Sequence, residues 1–140
     1  MTGRERFLAG DRMGALVGAR FVSLVDGVCT YEYEAREDHY NPGGMLHGGA
    51  LFSVMDSSQG MLVYSIVTAP DLAVTGTATI RYLAPVRRGR IVVSTRVTGS
   101  DGRKLFVRSE ASDERATMVA ALDATWIVTR APQDAPSKPS

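Results

Sequence analysis

One carboxylic acid stands alone inside an apolar run. Ala50-Leu51-Phe52-Ser53-Val54-Met55 precedes Asp56, and Met61-Leu62-Val63 follows shortly after. Burying an unpaired carboxylate is costly, so an acid kept in such a setting points to acid–base or nucleophilic chemistry. Upstream lies Asn41-Pro42-Gly43-Gly44-Met45-Leu46-His47-Gly48-Gly49, polar and rich in glycine. The stretch Ala50 to Val67 then predicts a helix of about five turns. A helix start presents unpaired N–H groups and partial positive charge. Glycines such as Gly48 and Gly49 let a ligand oxygen approach that backbone. The chain thus offers an oxyanion seat and, farther along the same helix, an acid.

Their separation sets the architecture. Eight residues divide Gly48 from Asp56, roughly 12 Å of helix. Reacting groups must converge to about 3 Å from a shared substrate atom. Asp56 is therefore poorly placed to serve its own helix start. A second copy of the helix, antiparallel beside the first, brings Asp56 of one chain to Gly48 of the other. The expectation is a homodimer with two equal sites across its interface. Ser53, Asp56, Ser57, Gly60 and Tyr64 fall near one helical face. Small residues there, Ser57 among them, leave room for substrate or for a partner helix.

Other elements must hold this helix. The 140 residues suit one domain, assigned to 1–130, large enough to bury roughly 70% of its unfolded surface. Arg4 to Leu8 predicts a short helix ending near Gly10. Ala19 to Val25 and Val28 to Ala35 predict strands joined by the tight turn Asp26-Gly27. Cys29, Tyr31 and Tyr33 share one face of the second strand, and Thr30, Glu32 and Glu34 the other, as in a sheet with one wet side. After the helix, Pro70 marks a stop. Leu72 to Leu83, Arg90 to Thr98, Lys104 to Ala111 and Thr117 to Thr129 predict four more strands, with a turn over Gly99 to Arg103. Gly76 is a soft break in the first of these. Residues 131–140 lack an apolar anchor and are expected to be disordered. One sheet must wrap one helix, an α+β arrangement, because no other element can cover the helix.

Composition narrows the function. A net charge of +1 argues against broad nucleic-acid binding. No run reaches the roughly 18 apolar residues of a membrane span. The segment Met1 to Gly10 does not read as a signal peptide. The single cysteine, Cys29, reads as a buried strand residue and excludes an internal disulfide, so a cytoplasmic setting is expected. His39 and His47 are eight apart with no cysteine pair, which disfavours zinc, and no metal site is expected. His39 reads as a loop surface residue. No Gly-x-Ser-x-Gly elbow is present for a Ser-His-Asp hydrolase, and no phosphate loop is present.

The pattern Asn41-x-x-Gly44-x-x-His47-Gly48-Gly49, with Asp56 nine residues after the histidine and Thr75 beyond, resembles the hotdog-fold acyl-CoA thioesterases related to the phenylacetate-pathway thioesterase. Ile80-Arg81-Tyr82-Leu83-Ala84-Pro85-Val86 and Gly89 extend the resemblance, which covers roughly 15–128. It implies a curled antiparallel sheet of about six strands around the helix. It also implies hydrolysis of an acyl-CoA to a free acid and CoA, with no cofactor. Asp56 would act as general base or nucleophile, and the Gly48 N–H would polarise the thioester carbonyl. Asn41 would hold that carbonyl or the water, His47 would brace the loop, and Thr75 would orient the water or the acid. Tyr82, Arg87, Gly102, Arg103 and Lys104 would meet the CoA moiety, with guanidinium forks suited to phosphate. Gly49 and Ser57 would line the substrate pocket. Self-association to a dimer, and to a dimer of dimers, is implied. A hotdog dehydratase pairs a loop histidine with a helix acid, but this loop follows the thioesterase pattern. A non-catalytic acyl-CoA sensor on the same scaffold is the alternative from another class, and the retained Asp56 weighs against it.

Overall fold

A computed structural model describes residues 1–130; the tail expected to be disordered lies outside the described residues. Six strands form one antiparallel sheet: β1 (Arg20–Val25), β2 (Val28–Ala35), β3 (Leu72–Tyr82), β4 (Gly89–Asp101), β5 (Lys104–Ser112) and β6 (Met118–Thr129). Their order across the sheet is β1-β2-β4-β5-β6-β3. The helix α3 (Gly48–Ile66) lies in its concave side. This is the helix-in-sheet arrangement of the hotdog fold. Register slips at Val22, Gly76, Thr98 and Val119 put one extra residue on one strand of a pair. Such bulges bend a strand and increase its twist, which lets the sheet curl around the helix. Gly76, the soft break in the sequence, is one of these bulges.

The helix is buried through its large apolar side chains. Leu51, Val54, Met55, Met61, Leu62 and Val63 are in the core with Tyr31, Tyr33, Ile91, Val93 and Leu122. Two polar groups on α3 are buried with partners. Gln59 donates to the carbonyls of Val107 (3.4 Å) and Leu122 (3.2 Å) and accepts from Trp126 Nε1 (2.8 Å). Ser58 bonds Thr95, which bonds Ser109, each at 2.7 Å. Cys29 is fully buried beside this chain, and burial pushes its thiol up to about 11.

Two boundaries differ from expectation. The helix begins at Gly48, inside the glycines, because His47 caps it: His47 Nδ1 accepts from the Gly49 N–H at 2.8 Å. The turn expected over 99–103 shrinks to Gly102-Arg103, with β4 running on to Asp101. Two short helices precede the sheet, α1 (Gly3–Gly10) and α2 (Arg12–Val17). The first carries a capping box between Thr2 and Glu5. The second was not expected; Asp11 caps its start, and Gly18 ends it at φ 87°. Among the described residues, no helix is long and apolar enough to cross a membrane.

Candidate active site

Asp56 is half-buried on α3, and its carboxylate has one hydrogen-bond partner among the described residues. Thr75 Oγ1, on β3, donates to Asp56 Oδ1 at 3.0 Å. Burial raises the carboxyl above the usual range; the Thr75 bond pulls it down, and the Asp11 carboxylate pushes it up. Losing water around a carboxylate favours its neutral form. The result is a more basic acid than a surface aspartate, held in one orientation.

The other end of α3 is an open cleft of about 370 Å³ whose lining includes Asn41, Leu46, Gly48, Leu51, Tyr82 and Val86. Asp56 is not among the lining residues. Within the protomer, then, the acid and the helix start do not share a cavity. The Gly49 N–H donates to His47 Nδ1, and the Gly49 carbonyl accepts from Ser53 Oγ at 2.9 Å. The Gly48 N–H has no partner among the described residues, and Gly48 lines the cleft. A side chain at Gly48 would meet the Tyr82 ring at 2.8 Å, so only glycine keeps this helix start tight against β3. The Tyr82 hydroxyl donates to the Gly48 carbonyl at 2.7 Å, and burial raises its phenol.

The loop before α3 is tied at several points. Asn41 Oδ1 accepts the N–H groups of Gly43 (2.9 Å) and Met45 (3.2 Å). Because both donors are backbone N–H groups, the acceptor must be the amide oxygen. Only the Asn41 NH₂ is left to meet a substrate, as a donor. The His47 N–H bonds the His39 carbonyl at 2.9 Å, and Leu46 bonds the Val86 carbonyl at 2.7 Å. His39 is not a plain surface residue. Its Nδ1 lies 2.6 Å from the Tyr33 hydroxyl, and its ring stacks on Tyr33. A half-buried tyrosine-bound histidine two residues before Asn41 carried no sequence signal, since Tyr33 is on another element.

The basic residues expected to share one CoA lie apart. Arg87 follows β3 beside Arg88, Asp113 and Arg115. Gly102 and Arg103 form the β4–β5 turn beside Asp71 and Arg130, and Lys104 opens β5. Strand register puts Lys104 opposite Ile127, and Tyr82 opposite Ala120. Seven residues of β6 separate those levels, roughly 23 Å. One protomer therefore has two separate basic ends rather than one rim. Tyr82 is at the helix start rather than at either, and Ser57 is buried under α2 instead of lining an open pocket. Among the described residues, no three His, Cys, Asp or Glu side chains gather where they could hold a metal ion.

Residues 43–120 match the family described as the thioesterase superfamily. A candidate esterase of Saccharolobus solfataricus is 30% identical over 90% of this chain and 83% of its own. A solved conserved protein of Pseudomonas aeruginosa is 32% identical, with a TM-score of 0.78 over 84% of this chain and 94% of its own. The E. coli PaaI protein from the phenylacetic acid degradation operon shares the fold at 18% identity, with a TM-score of 0.79 over 89% and 94%.

Proposed function

The chain belongs to the thioesterase superfamily and is a hydrolase by that membership, and we propose that its substrates are acyl-CoA thioesters, cleaved at sites shared between two protomers. One observation carries the reading. A half-buried acid held by Thr75 sits on the same helix as a Gly48 N–H that has no partner among the described residues, roughly 12 Å apart, and the acid does not line the cleft at Gly48. Neither end can complete the reaction without a second copy. The edge strand β3 supplies the surface for that copy. It is 11 residues long and unpaired on its outer side among the described residues, and Leu72 and Val74 are about half exposed. Long, unprotected edges invite pairing with another chain.

In this reading the thioester carbonyl oxygen accepts from the Gly48 N–H and the Asn41 amide. Asp56 of the partner subunit either takes a proton from a water that attacks the carbonyl carbon, or attacks that carbon itself. Negative charge collects on the oxygen at the helix start, where a preorganised donor is worth about 100- to 1000-fold in rate. The tetrahedral species then expels the CoA thiolate. On the general-base route the thiolate takes back the proton that Asp56 took from water, and the free acid leaves. On the nucleophile route an acyl–Asp56 anhydride remains, which water hydrolyses to the free acid, its proton going to the thiolate. His47 keeps the helix capped. Arg87 of one protomer and Arg103 and Lys104 of the other approach the CoA phosphates from two sides.

Release of thiol from a panel of acyl-CoAs, followed with a thiol-reactive dye, tests the proposal. Turnover by the native chain, with most of it lost in Asp56→Ala while CoA still binds, supports it. Binding without thiol release at every acyl group would leave the sensor reading instead, and near-native rates in Asp56→Ala would refute the role of the acid.

A further inference from the structure

The loop before α3 closes on itself as a small hairpin. Tyr40 bridges Leu46, the Asn41 N–H bonds the Met45 carbonyl at 2.7 Å, and the His47 N–H bonds the His39 carbonyl at 2.9 Å. His39 therefore stands opposite the residue that caps α3, and two residues before Asn41. Its own segment gives it little support. Glu37 and Asp38 are exposed, and no residue from Arg36 to Met45 is fully buried.

Tyr33 supplies the anchor. It is 1% exposed, on β2, where it pairs with Ile91. Its hydroxyl lies 2.6 Å from His39 Nδ1, and the two rings stack with 12° between their planes. Among the described residues, Tyr33 is the sheet residue whose side chain hydrogen-bonds this loop. The direction of the bond follows from its surroundings. Burial raises the Tyr33 phenol, against the lowering by the Arg36 N–H that bonds it and by the Arg36 charge, so the hydroxyl keeps its proton at neutral pH. The phenol oxygen accepts from Arg36, which leaves the phenol proton for His39 Nδ1. The neutral ring of His39 then carries its own proton on Nε2.

Two tyrosines thus clamp the start of α3 from two strands. Tyr82 of β3 donates to the Gly48 carbonyl at 2.7 Å. Tyr33 of β2 holds the His39 ring, and the His39 carbonyl holds the His47 N–H. The second path also carries Asn41, whose side chain is tied, among the described residues, to the hairpin's own Gly43 and Met45 N–H groups. Neither Tyr33 nor His39 lines the cleft at Gly48.

We infer that the Tyr33–His39 pair positions the oxyanion seat, setting the Gly48 N–H and the Asn41 amide on the thioester carbonyl without touching substrate. The inference rests on the proposed function, in which those two groups hold the carbonyl oxygen. Such donors act on charge that develops in the transition state. Loosening the pair should therefore lower kcat and leave KM nearly unchanged.

The test is steady-state thiol release from an acyl-CoA that the native chain hydrolyses, per mole of folded protein. The variants are Tyr33→Phe, His39→Leu, His39→Asn and the double change Tyr33→Phe with His39→Leu. Tyr33→Phe keeps the ring and removes the bond. It and His39→Leu should each lower kcat about tenfold, short of the roughly 100-fold that a 1 Å misplacement can cost, because the backbone bond to His47 remains. The double variant should lose no more than either single one, since both cut the same bond. His39→Asn offers an amide oxygen near the place of Nδ1 and should keep most of the native kcat. Should His39→Leu fold poorly, Tyr33→Phe against His39→Asn reads the same bond. Native kcat in Tyr33→Phe, a rise in KM in place of the fall in kcat, or equal losses in His39→Asn and His39→Leu would overturn the inference while the hydrolase reading stands. No thiol release by the native chain from any acyl-CoA would overturn the proposed function, and the inference with it.

Discussion

Thr75 Oγ1 donates to Asp56 Oδ1 across the gap between β3 and α3. This bond opposes the burial that raises the carboxyl, and the Asp11 charge acts with the burial. Activity needs the carboxylate form, so kcat/KM should fall as pH drops through its pKa. Thr75→Val removes the lowering influence and should move that acid limb to higher pH, with about a tenfold loss in kcat from the misaligned acid. Asp11→Asn removes a raising influence and should move the limb to lower pH. Steady-state pH profiles of the three proteins check both directions; shifts of equal sign in the two variants would contradict the assignment.

The same raised carboxyl affects stability. A folded-state pKa above the unfolded one contributes stability that is fully present below the unfolded value and lost as pH rises through the folded value. Native protein should therefore lose stability from this group on going from acid to neutral pH. Asp56→Asn removes the titration. Its melting temperature relative to native should rise as pH is raised from about 4 to 7, at the expense of activity. Thermal melts at a series of pH values measure this, and a difference independent of pH would contradict it.

Gln59 joins α3 to both β5 and β6 through three hydrogen bonds and to Trp126 in particular. Gln59→Ala leaves a cavity and strands buried polar partners. Such a change costs about 3–5 kcal/mol. Urea unfolding should show that loss in the midpoint with little change in slope.

Much of this arrangement could be read from residues alone. The alternation of Cys29, Tyr31 and Tyr33 gave the buried face of β2, and Asp26-Gly27 gave its hairpin, because both signals are local. Asp56 in an apolar run pointed to the site, because an acid is conspicuous there. The start of α3 was less legible. Gly48 and Gly49 have poor helix propensity, and what makes them helical is the local His47 cap together with a tertiary contact, the Tyr82 ring packed on Gly48. The α2 helix hid behind exposed Met13 and Leu16, although Asp11 and Gly18 mark its ends. The contacts of Phe7 with Gly60 and of Tyr33 with His39 join separate elements, and no spacing within one element encodes them. The distance between the two basic ends was not legible, because strand register, not sequence distance, decides which turns are neighbours.

The account's central claim is that Asp56 of one protomer serves Gly48 and Asn41 of another. Mixing Asp56→Ala chains with Asn41→Ala chains, each inactive alone, measures it most directly. Random exchange makes half of the dimers mixed, each with one intact site, so activity should recover to about a quarter of native. No recovery in mixtures whose heterodimers are verified by native mass spectrometry would contradict the shared site.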